Sequence, residues 1–520
     1  MKRIKRLPSL ILSSVSLALA LGCQAEIVEP AGSSGATGSV SPSAGSGSTQ
    51  TGMPGAGASS NGSAADTGSI GGGSRGGATS SGGSSGALAT GGSVATDVNR
   101  VPIHRLNNAE YNNTLADLLG ITSKPAAGFI DDEKLAGFDT IAAAFGMTDA
   151  RYEQYFDAAD TAVEQAFADA TLRDRILVCK PADATDPTCA RQILSAFVKR
   201  AYRRPIQSAE IDGLLAVVSG ASALGEDFAG SIRQALKAVL SSAEFLYRVE
   251  FDAEPSSPAA HPLSAHELGS RLSYLVWSTL PDTALIERAD RGDLSSDAAV
   301  AAELDRLLAD PRSARFVESF AGQWLGLRQL GSHQVDASLF PDWNETLRAA
   351  MVQEGLQFFT RLLRDQPISE FFTSEQHSVN APLAKLYGLP AVSGDQWLDV
   401  STPIPGRRGF MGLAGFLTLT SFSKRTAPTL RGKWVLENLL CNEVPAPPAN
   451  VPELDKAESS GAQSENVRAR LEEHRKNPSC AGCHQVLDPI GLGLENFDAI
   501  GRYRTAYTGG EPVDASGQLP

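Results

Sequence analysis

Residues 24–98 contain little but Gly, Ser, Ala and Thr, and that tract decides where a fold can be built. It carries almost no charge and lacks the large apolar side chains of a core, so burial there cannot offset the entropy of ordering the chain. The composition predicts a disordered linker with a root-mean-square span of about 45 to 50 Å. Fifty glycines in 520 residues are too many for a uniform globule, and this tract holds the excess. Two G-x-S-x-G strings inside it, around Ser74 and Ser84, lack the flanking strand and helix of a nucleophile elbow, so they are products of composition.

Ahead of the tract, Lys2, Arg3, Lys5 and Arg6 precede an apolar run over residues 10–21 that ends at Gly22-Cys23. A basic start, a short apolar stretch and a small residue at the boundary form an export signal over residues 1–23, too short for a spanning helix. Gly22-Cys23 also resembles a bacterial lipobox, in which Cys23 becomes the lipid-modified first residue, although Ala20 stands where Leu is commonest. Ordinary secretion after cleavage is the alternative. Either route takes the mature chain out of the cytoplasm; the lipid route ties it to a membrane at the periplasmic face or the outer-membrane surface.

Beyond residue 98 the pattern is helical, with few alternating runs, and predicts an all-α chain of consecutive modules at 99–178, 179–250, 258–392 and 400–508, then an incomplete tail at 509–520. Asn107 and Glu110 have capping-box spacing before an apolar face of Tyr111, Leu115, Leu118 and Leu119 that stops at Gly120. A second face reads as Tyr152, Phe156, Ala159, Val163 and Phe167. Cys179 and Cys189 flank a Pro- and Asp-rich loop, and in an oxidising compartment they are expected to pair. Ser208 reads as a helix cap, and Ser264 with Glu267 as a second capping box. The basic run of Lys199, Arg200, Arg203 and Arg204 reads as a solvated helix face, because a chain of net charge -14 is a poor nucleic-acid ligand. His266 is read as structural, since Ser270 stands where a zinc protease needs its second histidine. The aromatic stripes are read as core. In the last module a helix is expected over residues 432–440, a polyproline-type link over 445–450, and a helix over 467–474.

The chemistry lies at Cys480-Ala481-Gly482-Cys483-His484. C-x-x-C-H attaches c-type haem: thiols one helical turn apart form thioethers with the porphyrin, and the following imidazole ligates the iron. With six Cys and seven His in the chain, chance produces this string in about one sequence in a thousand. A zinc site would need four ligands, and Cys441 and His474 lack the paired spacing to complete one. A thioredoxin-like pair would need a neighbouring strand pattern, which is absent.

Four strings carry a resemblance: residues 106–114, residues 200–205, residues 430–435 and Asp488-Pro489 with residues 494–498. They are similar to exported multidomain proteins of planctomycetes and myxobacteria, built from modules of unknown function and a c-type haem motif. The resemblance covers most of residues 101–508 and implies a haem-binding protein of the cell envelope, without fixing a reaction. Phe422 departs from it, standing where the family often has His or Tyr, and so does the tail, where a further module usually follows.

His484 is thus the expected proximal iron ligand, with a backbone carbonyl near Asp488-Pro489 expected to hold its other ring nitrogen. Met411 is the first candidate for a sixth ligand; plain core packing of Met411 and an open sixth position are the alternatives, and His474 stands awkwardly close in sequence. Arg502 and Arg504 offer guanidinium forks for the two propionates, or else are surface residues. Glu495 and Asp498 are read as turn or capping groups. The leading function is electron transfer with a partner redox protein; a haem oxidoreductase with an open distal site, and an envelope scaffold with accessory haem, are the competing classes.

Overall fold

A computed structural model describes residues 103–251, 261–393, 396–401, 404–445 and 466–519. The export signal with Cys23, the linker at 24–98 and most of the proline link at 445–450 lie outside the described residues. The described chain is all-α, with two small antiparallel pairs as its only sheets. No described helix is long and apolar enough to cross a membrane.

Strand β1 (His104–Arg105) leads into α1 (Asn108–Leu119), α2 (Asp149–Ala168), α3 (Ala170–Ile176), α4 (Pro187–Tyr202), α5 (Ser208–Ala223) and α6 (Phe228–Leu240), and β2 (Tyr247–Arg248) returns to pair with β1. The pairing closes both segments around one hydrophobic core, which runs from Leu106 to Leu246 and takes in Tyr274 and Leu280 further along. Helix α1 forms where the capping box predicts: Asn107 accepts from the Glu110 amide at 2.8 Å, Glu110 accepts from the Asn107 amide at 3.0 Å, and Gly120 ends the helix at φ 84°. The buried face of α2 differs from the sequence expectation. Tyr155 lies in the core, whereas Tyr152 and Phe156 are exposed, because the Tyr155 hydroxyl bridges inward to the Leu106 carbonyl at 2.9 Å and the Arg105 guanidinium at 2.6 Å. Gln207, rather than Ser208, precedes α5 as its cap.

The basic run is not a solvated face. Arg203, 4% exposed, ends α4 at φ 59° and donates to the carbonyls of Glu244, Phe245 and Tyr247 at 2.8, 3.0 and 2.6 Å. Those bonds offset a left-handed conformation that costs a non-glycine residue about 1 kcal/mol. Lys199 pairs with Asp290, and Arg204 pairs with Glu210.

Cys179 and Cys189 are joined by a disulfide with Cα atoms 5.8 Å apart, pinning the loop before α4. Replacing both with Ser is expected to lower the stability of this core by about 2 to 3 kcal/mol, read as a lower urea midpoint; an unchanged midpoint would rule out a stabilising bridge.

The next segment contains α7 (Ala265–Trp277), α8 (Thr283–Asp290) and α9 (Asp297–Ala309) around a small core of Trp277, Leu285 and Leu307. Ser264 and Glu267 cap α7 as a box, and His266 bonds Asp290 at 3.0 Å. After irregular helical turns over residues 311–331 come α10 (Glu345–Arg364), β3 (His377–Val379), α11 (Ala381–Tyr387) and β4 (Leu398–Val400), which pairs with β3. The last segment holds α12 (Ala414–Leu419), α13 (Pro428–Asn438), α14 (Val467–His474) and α15 (Pro478–Leu492). Helix α13 starts four residues before the expected 432, since Pro428 fits its first position, while α14 has the expected bounds. A second large core joins α10 and α11 to α12 and to Phe497 and Ile500, so the third and last segments share a core.

Candidate functional site

The C-x-x-C-H string occupies the first turns of α15. Asn477 caps the helix by accepting from the Ser479 amide at 3.0 Å, and Pro478 takes the first position, where a missing N–H costs nothing. Cys480 is buried and Cys483 half-buried, one turn apart, and neither is in a disulfide. Cys483 packs against a cluster of Val435, Leu436, Leu487 and Ile490 between α13 and α15, and half-buried Met411 packs against the same cluster.

His484 is held by a carboxylate. Its Nδ1 lies 3.0 and 3.1 Å from the two oxygens of Asp488, one turn further along α15, and Asp488 is 0% exposed. The expected backbone carbonyl is replaced by this side chain because the i,i+4 spacing stacks residue 488 on residue 484. The Pro489 carbonyl is taken by the Gln518 amide at 3.1 Å. Thr429, on α13, donates its hydroxyl to Asp488 Oδ1 at 2.8 Å. The His474 ring lies edge-on to His484 with centroids 4.6 Å apart.

Two glycines bring α13 onto α15. A Cβ at Gly432 would overlap the Leu487 carbonyl oxygen, and one at Gly491 would overlap that of Pro428. Thr429 and Asp488 meet between these contact points.

The two arginines suggested for propionates already have carboxylate partners. Arg502 pairs with Asp342 and Arg504 with Glu495, and neither bonds to Cys480, Cys483 or His484. Glu495 is not a turn group. Fully buried, it accepts from the Thr426 hydroxyl at 2.7 Å and faces the buried Arg431 at 3.8 Å. Arg431 also donates to the carbonyls of Leu494, Phe497 and Asp498 at 2.7, 3.2 and 3.3 Å, stitching α13 to the loop after α15. Burial lowers its pKa to about 10, with Glu495 opposing the shift, so it stays charged at neutral pH. Asp498 does act as a turn group, accepting from the amides of Ile500 and Arg502 at 3.0 and 2.8 Å.

Sequence reading passed over a second buried polar cluster, at the junction of α10, α11 and α12. The Tyr387 hydroxyl donates to Glu354 at 2.7 Å and accepts from the Ala414 amide at 3.0 Å, while the Arg407 guanidinium lies 3.7 Å from the Tyr387 ring centre. Burial raises the Glu354 pKa to about 7 against the Tyr387 hydrogen bond, and burial lowers that of His377, 4.0 Å away, to about 4. A carboxyl with a raised folded-state pKa contributes its full stability below the unfolded value near 4.5 and loses it as pH rises through 7. His377 has the opposite sign, losing its contribution as pH falls from about 6.5 toward 4. Between pH 5 and 7 the wild type is therefore expected to lose about 2 kcal/mol that Glu354→Gln does not lose. Parallel urea curves for the two proteins at both pH values would contradict this.

Among the described residues no group of three or more His, Cys, Asp or Glu is arranged to hold a metal ion by protein ligands alone. A porphyrin iron asks the protein only for axial donors, and His484 beside two thiols is the donor set of covalent haem. A cleft of about 870 Å³ elsewhere is lined by Tyr202, Arg204, Arg248, His261 and Arg271 and contains none of the haem-motif residues. Two of its arginines are matched by protein carboxylates, with Arg204 on Glu210 and Arg271 on Glu250.

Fold and site define an all-α multidomain protein whose last module presents a C-x-x-C-H sequence at the start of a helix. In chain order, residues 104–168 match PSD3 (protein of unknown function, DUF1587), 189–250 match PSD5 (DUF1595), 263–389 match PSD4 (DUF1592), and 407–507 match PSCyt3 (DUF1588). The chain carries these four PSD/PSCyt modules, the set typical of planctomycete cytochrome-c-associated multidomain proteins. No curated protein and no solved structure matches it significantly.

Proposed function

We propose that this chain is an exported, membrane-tethered, cytochrome-like protein whose last module carries one covalent haem through Cys480, Cys483 and His484 and works in electron transfer with a partner redox protein. The observation that carries the reading is the chain from Thr429 to Asp488 to His484 directly beside the two thiols. With Asp488 against Nδ1, the Nε2 lone pair would be the one left to donate to the iron. When bound, haem c supplies a one-electron Fe(III)/Fe(II) couple. Cys480 and Cys483 would hold the group through thioether bonds, so it would not dissociate. Met411, in the same apolar cluster as Cys483, is the proposed sixth donor. The match of residues 407–507 to PSCyt3 supports a cytochrome-related role. Cys23 is the proposed lipid anchor, and the Cys179–Cys189 disulfide suits the oxidising side of a membrane.

One observation favours haem oxidoreductase chemistry as the second reading. A buried carboxylate on the proximal histidine makes it a stronger donor than a neutral carbonyl would. Absorption spectra separate the two. A ferrous low-spin spectrum indifferent to carbon monoxide, converted by Met411→Ala to one that binds it, supports the carrier with Met411 as ligand. Ready binding by the wild type contradicts that and supports an open-site enzyme.

A further inference from the structure

We propose that Thr429 is a positioning residue for the iron centre, setting the reduction potential through Asp488 and His484; the inference rests on reading residues 407–507 as a haem module. Asp488 is a fully buried carboxylate whose oxygens face few donors. Oδ1 accepts from Thr429 at 2.8 Å, and the two oxygens lie 3.0 and 3.1 Å from His484 Nδ1. The nearest cation, Arg475, lies 3.9 Å from Oδ2, the oxygen that Thr429 does not touch. Among the described residues, the hydroxyl shares Oδ1 with His484 alone.

A carboxylate divides its accepting strength among its donors. With the hydroxyl in place, part of the charge of Asp488 is spent on Thr429, and the hold on the His484 proton is moderated. Without it the charge concentrates on Nδ1–H, the imidazole gains imidazolate character, and the oxidised metal is favoured. Thr429 also belongs to a different helix from its target. Its place depends on the glycine contacts at Gly432 and Gly491, so the packing of α13 on α15 fixes the donor strength of the axial histidine.

The test compares wild type, Thr429→Val and Thr429→Ser, each matured with covalent haem, by spectroelectrochemical titration and, with Met411→Ala added to each to open the sixth position, by the iron–histidine stretch of the ferrous form. Thr429→Val is expected to shift the Fe(III)/Fe(II) equilibrium several-fold toward Fe(III), up to about 59 mV downward for a tenfold change, and to raise the stretching frequency. Thr429→Ser keeps the hydroxyl and should restore both. Asp488→Asn, a weaker acceptor, should move both the other way. Coincident potentials and frequencies for wild type and Thr429→Val would overturn the inference while leaving the haem module intact. Should Thr429→Val fail to mature, Thr429→Ala against Thr429→Ser makes the same comparison with the same criterion. Absence of covalent haem from the wild type itself would instead remove the haem reading, and a haemochrome assay on each sample tells the two failures apart.

Discussion

Arg431→Leu is expected to destabilise the last module by about 3 to 5 kcal/mol, the largest effect of any single side chain in it. Arg431 and Glu495 are both fully buried, and the guanidinium gives its protons to three carbonyls as well as facing the carboxylate. Among the described residues, removing it leaves the Phe497 carbonyl without a donor, leaves those of Leu494 and Asp498 with only the Phe497 and Gly501 amides, and leaves Glu495 with Arg504 and Thr426 as its remaining partners. The loop over residues 494–498 should then detach from α13, with faster protease cleavage there and a lower urea midpoint. Arg431→Met combined with Glu495→Leu should recover part of the loss, since a buried pair replaced as a unit by apolar groups costs less than half a pair. A single variant as stable as wild type would mean that the buried charge is not organising this module.

Gly491→Ala is expected to be nearly as damaging, at about 3 kcal/mol. The obstacle to its methyl group is the backbone oxygen of Pro428, which cannot rotate away as a side chain can. The helices must separate, and the Thr429–Asp488 hydrogen bond stretches with them. Gly482→Ala is the matched control: it lies between the two motif cysteines, nothing stands within 4 Å of its added Cβ, and Ala is the better helix former by about 1 kcal/mol. Circular dichroism melts should place Gly491→Ala well below wild type and Gly482→Ala at or above it. Equal melting temperatures for Gly491→Ala and wild type would show that the close crossing carries no stability.

These effects mark where sequence reasoning stops. Features set by neighbours in the chain were legible: the capping boxes at Asn107 and Ser264, the left-handed stop at Gly120, the bounds of α14, and the thiols and imidazole on one helix start. Each depends on residues within about one helical turn. The misread features depend on partners far along the chain. Tyr155 is buried in place of Tyr152 because Arg105, 50 residues earlier, reaches its hydroxyl. Arg203 looked like one charge in a basic surface run, yet it satisfies carbonyls more than 40 residues away. Glu495 looked like a turn residue because charged groups are seldom fully buried, and Arg431, Arg504 and Thr426 together make its burial tolerable. The partner of His484 was misread for another reason: the right residues were in view, and the helix geometry favours the side chain of Asp488 over the backbone beside it.

The central claim is that iron porphyrin is bonded to Cys480 and Cys483, and intact-peptide mass spectrometry tests it most directly. Full-length chain would be exported from a host with cytochrome c maturation, and the proteolytic fragment containing both cysteines would be weighed beside a pyridine haemochrome spectrum. The expected result is one haem mass added to that fragment, thiols that refuse an alkylating reagent, and no addition in Cys480→Ala with Cys483→Ala. A colourless protein whose fragment has its unmodified mass and alkylates at both thiols would contradict the account.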